Sequence, residues 1–127
     1  VAVCGAHLAG QPLNHQLVQR GGRLQACTHT APVYRLYALA DGKRPGLVRV
    51  GADDLEPGVA IEVEVWSLPV ERLGSFLAGI PAPLGLGRTL LADGSEVCGF
   101  ICEGAGLAGA RDISTFGGWR AWRASLG

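Results

Sequence analysis

At 127 residues the chain is long enough to bury roughly two thirds of the surface its unfolded form exposes, so it can support a core. Eleven basic and eleven acidic residues cancel, which leaves no net field to gather nucleic acid or an anionic membrane, and any anion has to be held by a local pocket. No apolar run approaches the roughly 18 residues of a membrane span and no charged-then-apolar start marks a signal peptide, so a cytoplasmic location is expected.

Val1 to Cys4 reads as a short buried strand that breaks at Gly5 into a loop reaching Leu13. Asn14 is placed to cap a brief helix through Leu17 to Arg20, and Gly21-Gly22 supplies residues that tolerate positive φ at its end. A strand is expected over Arg23 to Thr28. Val33 to Leu39 and Leu47 to Val50 mix branched and aromatic residues on either side of the turn Asp41-Gly42, which predicts paired strands. Gly51 to Gly58 is a loop.

Ala60 to Trp66 alternates strictly, with Ile61, Val63 and Val65 on one face and Glu62, Glu64 and Trp66 on the other. Such alternation ordinarily marks a sheet with one wet side, although two carboxylates on one face could also serve as bases. Pro69 suits a first helical turn, and Val70, Leu73, Phe76, Leu77 and Ile80 recur at helical spacing, which predicts a helix packed on the sheet. After Pro81-Ala82-Pro83, strands over Arg88 to Leu91 and Glu96 to Cys102 flank Asp93-Gly94, a tight-hairpin signal. In the tail, Trp119 and Trp122 fit one side of a last helical turn.

Strands outnumber helices, no internal repeat interrupts residues 1–127, and a single α+β domain is expected: a curled sheet or barrel with helices outside. The chain has no Met and opens on a core-like strand, which suggests a piece of a longer protein. Cys4, Cys27, Cys98 and Cys102 fit no zinc spacing and read as small buried hydrophobes, while His15 and His29 lack metal-ligating companions and read as surface residues. Neither a metal nor an organic cofactor is expected.

Two readings compete for the turn Gly5-Ala6-His7-Leu8-Ala9-Gly10. Small residues after a strand let main-chain N–H groups approach an anion, with His7 placed to exchange a proton; a plain strand-to-helix connection with a surface histidine explains the same residues. Asn14 is a helix cap or a ligand contact. Arg35 and Tyr37 share a strand face, where the guanidinium either pairs with a substrate carboxylate or is simply solvated. Arg111-Asp112 reads as an internal ion pair, and Ser114-Thr115 as a further place for ligand contact.

Taken together and in order, GAHLAGQPLNHQL, TAPVYRLYAL, IEVEVW and GFICEGAGLAGARDISTFGGWRAW resemble the C-terminal domain of allophanate hydrolases nearly end to end. The resemblance implies a γ-glutamylcyclotransferase-like fold, a mixed β-barrel with helices packed outside, in which the loop after the first strand binds substrate. Cyclotransferring relatives carry a Tyr-Gly-Ser type turn there and a general-base Glu beyond the central strand. Here the turn is Cys4-Gly5-Ala6, and no carboxylate lies between Arg72 and Asp93, which argues against cyclotransfer.

The resemblance further implies that an amidase domain, fused or separate, deaminates allophanate and that this domain breaks N-carboxycarbamate down to carbon dioxide and ammonia. On that basis His7 is the expected proton donor, and the substrate, a small anion, is expected on Gly5, Ala6 and Leu8, with Asn14, Arg35 and Tyr37 orienting it. A homodimer is carried as an open expectation. The alternatives are a cyclotransferase-like enzyme on another small substrate and a non-catalytic module that dimerises or docks the amidase.

Overall fold

In the computed structural model, which describes residues 1–127, eight strands and three α-helices build two sheets. The larger sheet runs β2 (Arg23–His29), β5 (Glu62–Ser67), β1 (Ala2–Val3), β7 (Glu96–Cys102), β6 (Leu84–Leu90). The smaller runs β4 (Pro45–Arg49), β3 (Tyr34–Ala38), β8 (Arg111–Asp112). Although only two residues long, β1 lies in the middle of the larger sheet, antiparallel to β5 and parallel to β7. Its position there fixes where the following turn emerges.

The expected barrel does not close. β2 and β6 touch at a single bridge, Thr30 to Leu91, just past the ends of both strands. Closure needs a ladder along the whole seam. What forms instead is an α+β arrangement of a curled sheet touching itself at one corner, beside a separate three-stranded sheet. A cluster of 17 buried residues, among them Val3, Leu8, Leu36, Ile61, Phe100 and Trp119, fills the space between them.

β6 begins at Leu84, four residues before the expected Arg88, because its Leu-Gly-Leu-Gly opening has low strand propensity and is made extended by its pairing with β7. The first helix, α1 (His15–Val18), is a single turn ended at Gly21, whose φ is +79°. Asn14 does not cap it with its side chain, which is engaged elsewhere. The second helix, α2 (Val70–Ala78), buries only Phe76; Val70 and Leu77 face solvent, since the helix meets the rest of the protein along one narrow line and not across the whole apolar stripe.

The last helix, α3 (Trp119–Ser125), buries both Trp119 and Trp122, which are one turn apart. It lies over the Glu62–Glu64 side of β5, so that face is covered and not wet: Glu64 is 3% exposed and Trp66 6%. The four cysteines are free, and of them only Cys4 is buried, while Cys27 is exposed on the edge strand and Cys98 and Cys102 are half-buried.

Candidate functional site

The chain leaves β1 at Val3 and turns at Gly5, where a Cβ would collide with the Pro45 ring at the start of β4. Glycine is required for this close approach of the two sheets. The turn then carries His7 inward. Its ring stacks on Phe100 of β7, with centroids 4.9 Å apart and planes at 28°, and Phe76 of α2 meets it edge-on at 5.3 Å. His7 Nε2 is 2.8 Å from Gln16 Oε1 of α1. Its Nδ1 has no protein partner and is the nitrogen available to a ligand.

Burial among these rings lowers the His7 pKa below its ordinary value; the Gln16 bond opposes that shift and the charge of His15 adds to it. The ring is therefore neutral in the free protein near pH 7 and, once protonated, is a stronger acid than an ordinary imidazolium.

Around His7 opens a cleft of about 60 Å³ whose walls include Leu13, Ile80, Leu84 and Phe100, with Arg44 as its one charged side chain. At roughly 10–15 Å³ per water-sized site, this volume suits a group of about four to six heavy atoms. Gly5, Ala6 and His7 also line it, and their three consecutive amides donate to no group of the protein, whereas the next two are used: Leu8 N–H bonds Gly5 O at 3.0 Å and Ala9 N–H bonds Glu64 at 2.8 Å. Free main-chain donors beside an apolar wall and a guanidinium form a cradle for a small anion.

The cradle is fastened from behind. Asn14 Nδ2 donates to His7 O at 2.8 Å, and both sides of the Ala9 residue are held, its N–H by Glu64 and its carbonyl by Arg120 of α3 at 2.7 Å. Arg120 also donates to Glu64 Oε2 at 2.8 Å and Glu62 Oε1 at 3.0 Å, and Trp66 Nε1–H donates to Glu64 Oε1 at 3.1 Å. Burial pushes the Glu64 carboxyl up, but the bonds from Ala9, Arg120 and Trp66 together outweigh it and hold its pKa below the usual value. Glu64 is therefore an ionised anchor and not a base.

Of the residues the sequence singled out, the structure brings together Gly5, Ala6 and His7 at the cleft. Leu8 is fully buried in the core behind it, and Asn14 stiffens the loop without lining the cleft. Arg35 and Tyr37 lie elsewhere, in an open depression of about 360 Å³ beside the Asp53–Glu56 loop. There Arg35 is already occupied: its Nε and Nη2 donate to Asp112 Oδ2 at 3.0 and 2.7 Å, and its Nη1 to Pro57 O at 2.9 Å. Asp112 thus pairs across the sheet with Arg35 and not with its neighbour Arg111. Ser114 is buried too, exchanging bonds with the Leu36 main chain, so it is not free to contact a ligand.

The model of the allophanate hydrolase C-terminal domain matches residues 1–124. This chain belongs to that family. It is 40% identical to the urea amidolyase of Saccharomyces cerevisiae, in an alignment covering 96% of this chain and 7% of that protein. The chain thus spans about 7% of the length of the curated relatives it matches. Among solved structures, Kluyveromyces lactis allophanate hydrolase superposes with a TM-score of 0.91 at 40% identity, covering 99% of this chain and 21% of that one. A uropathogenic E. coli-specific protein superposes with a TM-score of 0.89 at 36% identity, covering 97% of this chain and 93% of its own. The domain therefore occurs both as a small part of long proteins and as nearly the whole of a short one.

In this allophanate hydrolase C-terminal domain, sequence reasoning missed Gln16, Arg44 and the Glu64–Arg120 pair. Gln16 was discoverable, because a polar residue opposite a buried histidine on a one-turn helix has to satisfy something. Trp66 on the same strand face as Glu62 and Glu64 was the signal that this face is covered. Nothing local ties Arg44 to residues 5–7, since the contact runs between two sheets.

Proposed function

We propose that this chain carries out the second step of allophanate breakdown, turning N-carboxycarbamate into carbon dioxide and ammonia within, or alongside, an amidase-containing protein of the urea amidolyase type. The observation that carries the proposal is His7: a desolvated imidazole with Nε2 fixed by Gln16 and Nδ1 free, beside three unclaimed amides in a cleft that admits one carboxylate end of a small dianion. The sequence resemblance implies a γ-glutamylcyclotransferase-like fold, whose ligands bind after the first strand, and a site here is what that resemblance leads one to expect.

The chemistry follows from the charges. A bound dianion raises the pKa of the neighbouring imidazole, so His7 takes up a proton as substrate enters. The imidazolium then donates from Nδ1 to the substrate nitrogen while the bond from nitrogen to one carboxylate carbon breaks. That carboxylate leaves as carbon dioxide, and carbamate remains to take a second proton and give ammonia and carbon dioxide. A positioned proton donor is worth typically 10²- to 10⁴-fold in rate.

Carbon-labelled allophanate supplied to the amidase half, with N-carboxycarbamate followed by NMR, tests the reading. Addition of this chain is expected to accelerate its decay and the His7→Ala form is expected to restore the background rate. Equal decay with and without the chain would refute the catalytic assignment and favour a docking role.

A further inference from the structure

Three cations gather beside the site in a chain whose formal net charge is zero. Lys43 and Arg44 follow the turn between β3 and β4, and Arg123 reaches the same place from α3. With Gln11 and Trp119 they line a second open cleft of about 160 Å³, which shares Ala6, Leu13 and Arg44 with the His7 cleft. No carboxylate lines it. Arg44 is paired with Asp41 at 2.9 Å, whereas Lys43 and Arg123 have no acidic partner. Arg123 is nevertheless oriented: its Nη1 donates to Gly42 O at 3.2 Å, and its guanidinium lies 5.9 and 6.0 Å from the ring centroids of Trp119 and Trp122.

The two connected clefts differ in polarity. Around His7 the walls are largely hydrocarbon, and Arg44 at the seam is the only charged group. A dianion wholly inside that cleft would set a second carboxylate against apolar side chains without a counter-ion, which is strongly unfavourable. The cationic cleft next door removes the conflict.

We infer that the Lys43–Arg44–Arg123 cleft is a carboxylate subsite that takes one end of a small dicarboxylate dianion and directs the other end into the apolar cleft of His7. The inference rests on the decarboxylating reading for its consequence: the end in the apolar cleft is the one that leaves. Loss of carbon dioxide withdraws charge from a carboxylate, so a cleft that gives that carboxylate no counter-ion of its own favours the step, while the retained one keeps its counter-ions. The breaking bond joins nitrogen to the carbon in the apolar cleft; its electron pair goes to nitrogen, which receives the His7 proton, and carbamate stays on the cations.

Malonate, a stable dicarboxylate of similar span, is the probe, and acetate is the single-headed control. Calorimetric titration of the whole chain should show malonate binding that weakens with salt and is at least tenfold tighter than acetate binding. The Lys43→Ala, Arg123→Ala double variant should raise the malonate Kd about tenfold, as expected for two partly exposed charge contacts. Because Arg123 also packs on the tryptophans, Lys43→Glu serves as a second variant at an exposed position and should weaken malonate at least as much. Malonate binding no tighter than acetate, or a Lys43→Glu form that binds malonate like the parent, would overturn the inference; a His7→Ala form that loses no decay activity would overturn only the catalytic reading.

Discussion

Replacing Glu64 with alanine removes the acceptor shared by Ala9 N–H, Trp66 Nε1–H and Arg120. Arg120, with a side chain 36% exposed, keeps Glu62 and reaches solvent, so its loss costs little. The other two donors are worse placed: the indole N–H belongs to a side chain 6% exposed, and the Ala9 amide faces the cavity left behind. Each buried donor left unsatisfied costs about 1–3 kcal/mol, which puts the total for the two at about 2–6 kcal/mol and lowers Tm by roughly 7–22 °C for a chain of this size. Urea unfolding followed by tryptophan fluorescence measures it directly. The pH dependence supplies an independent check. Because the folded Glu64 pKa is depressed, its contribution is present above the unfolded value near 4.3 and lost as pH falls through the folded one, so the variant should lose less stability than the parent on acidification below about pH 4.5. A loss under about 1 kcal/mol at neutral pH, with an unchanged acid limb, would refute the account of Glu64 as anchor of the cradle.

Three further outcomes follow from the same geometry. His7 is held neutral by burial, so the unfolded chain binds a proton that the folded one refuses; stability should fall as pH drops below about 6.5, and the His7→Gln form should lack that slope in pH-dependent urea titrations. Gly5→Ala forces a methyl into the Pro45 ring, and the resulting shift of β4 should cost about 1–3 kcal/mol in thermal or urea melts and pull Arg44 from its position, which a crystal of the variant would reveal. The Cys4 thiol, pushed up to about 12 by full burial, should resist iodoacetamide at pH 8 in the native state, while exposed Cys27 is alkylated; mass spectrometry of the labelled peptides distinguishes them.

Much of the framework was legible because it depends on local chemistry. Alternation identified β5, Asp93-Gly94 identified the β6–β7 hairpin, and two tryptophans three apart identified the face of α3. The turn after β1 was legible for the same reason: Gly5 and its small neighbours announce a close main-chain approach, even though the partner that demands it, Pro45, could not be named. What failed depended on tertiary covering. Glu62 and Glu64 look like a solvated face until α3 is laid over them. Arg35 and Tyr37 have the right chemistry for a carboxylate ligand, but the guanidinium is spent on Asp112, and that pairing across 77 positions leaves no local trace. The apolar stripe of α2 overstated its buried face because spacing reports which residues share a side and not how much of that side meets a neighbour.

The fastening of the His7 loop has a kinetic corollary. Ala9 is gripped by Arg120 across 111 positions, and β1 is flanked by strands more than 50 and more than 90 positions downstream. Chain-closure entropy on that scale is expended before the contacts repay it, which places such pairings late on the route from coil to native. The imidazole precedes Phe100 by more than 90 positions, so the aromatic wall that lowers its pKa is in place only once β7 has paired beside β1.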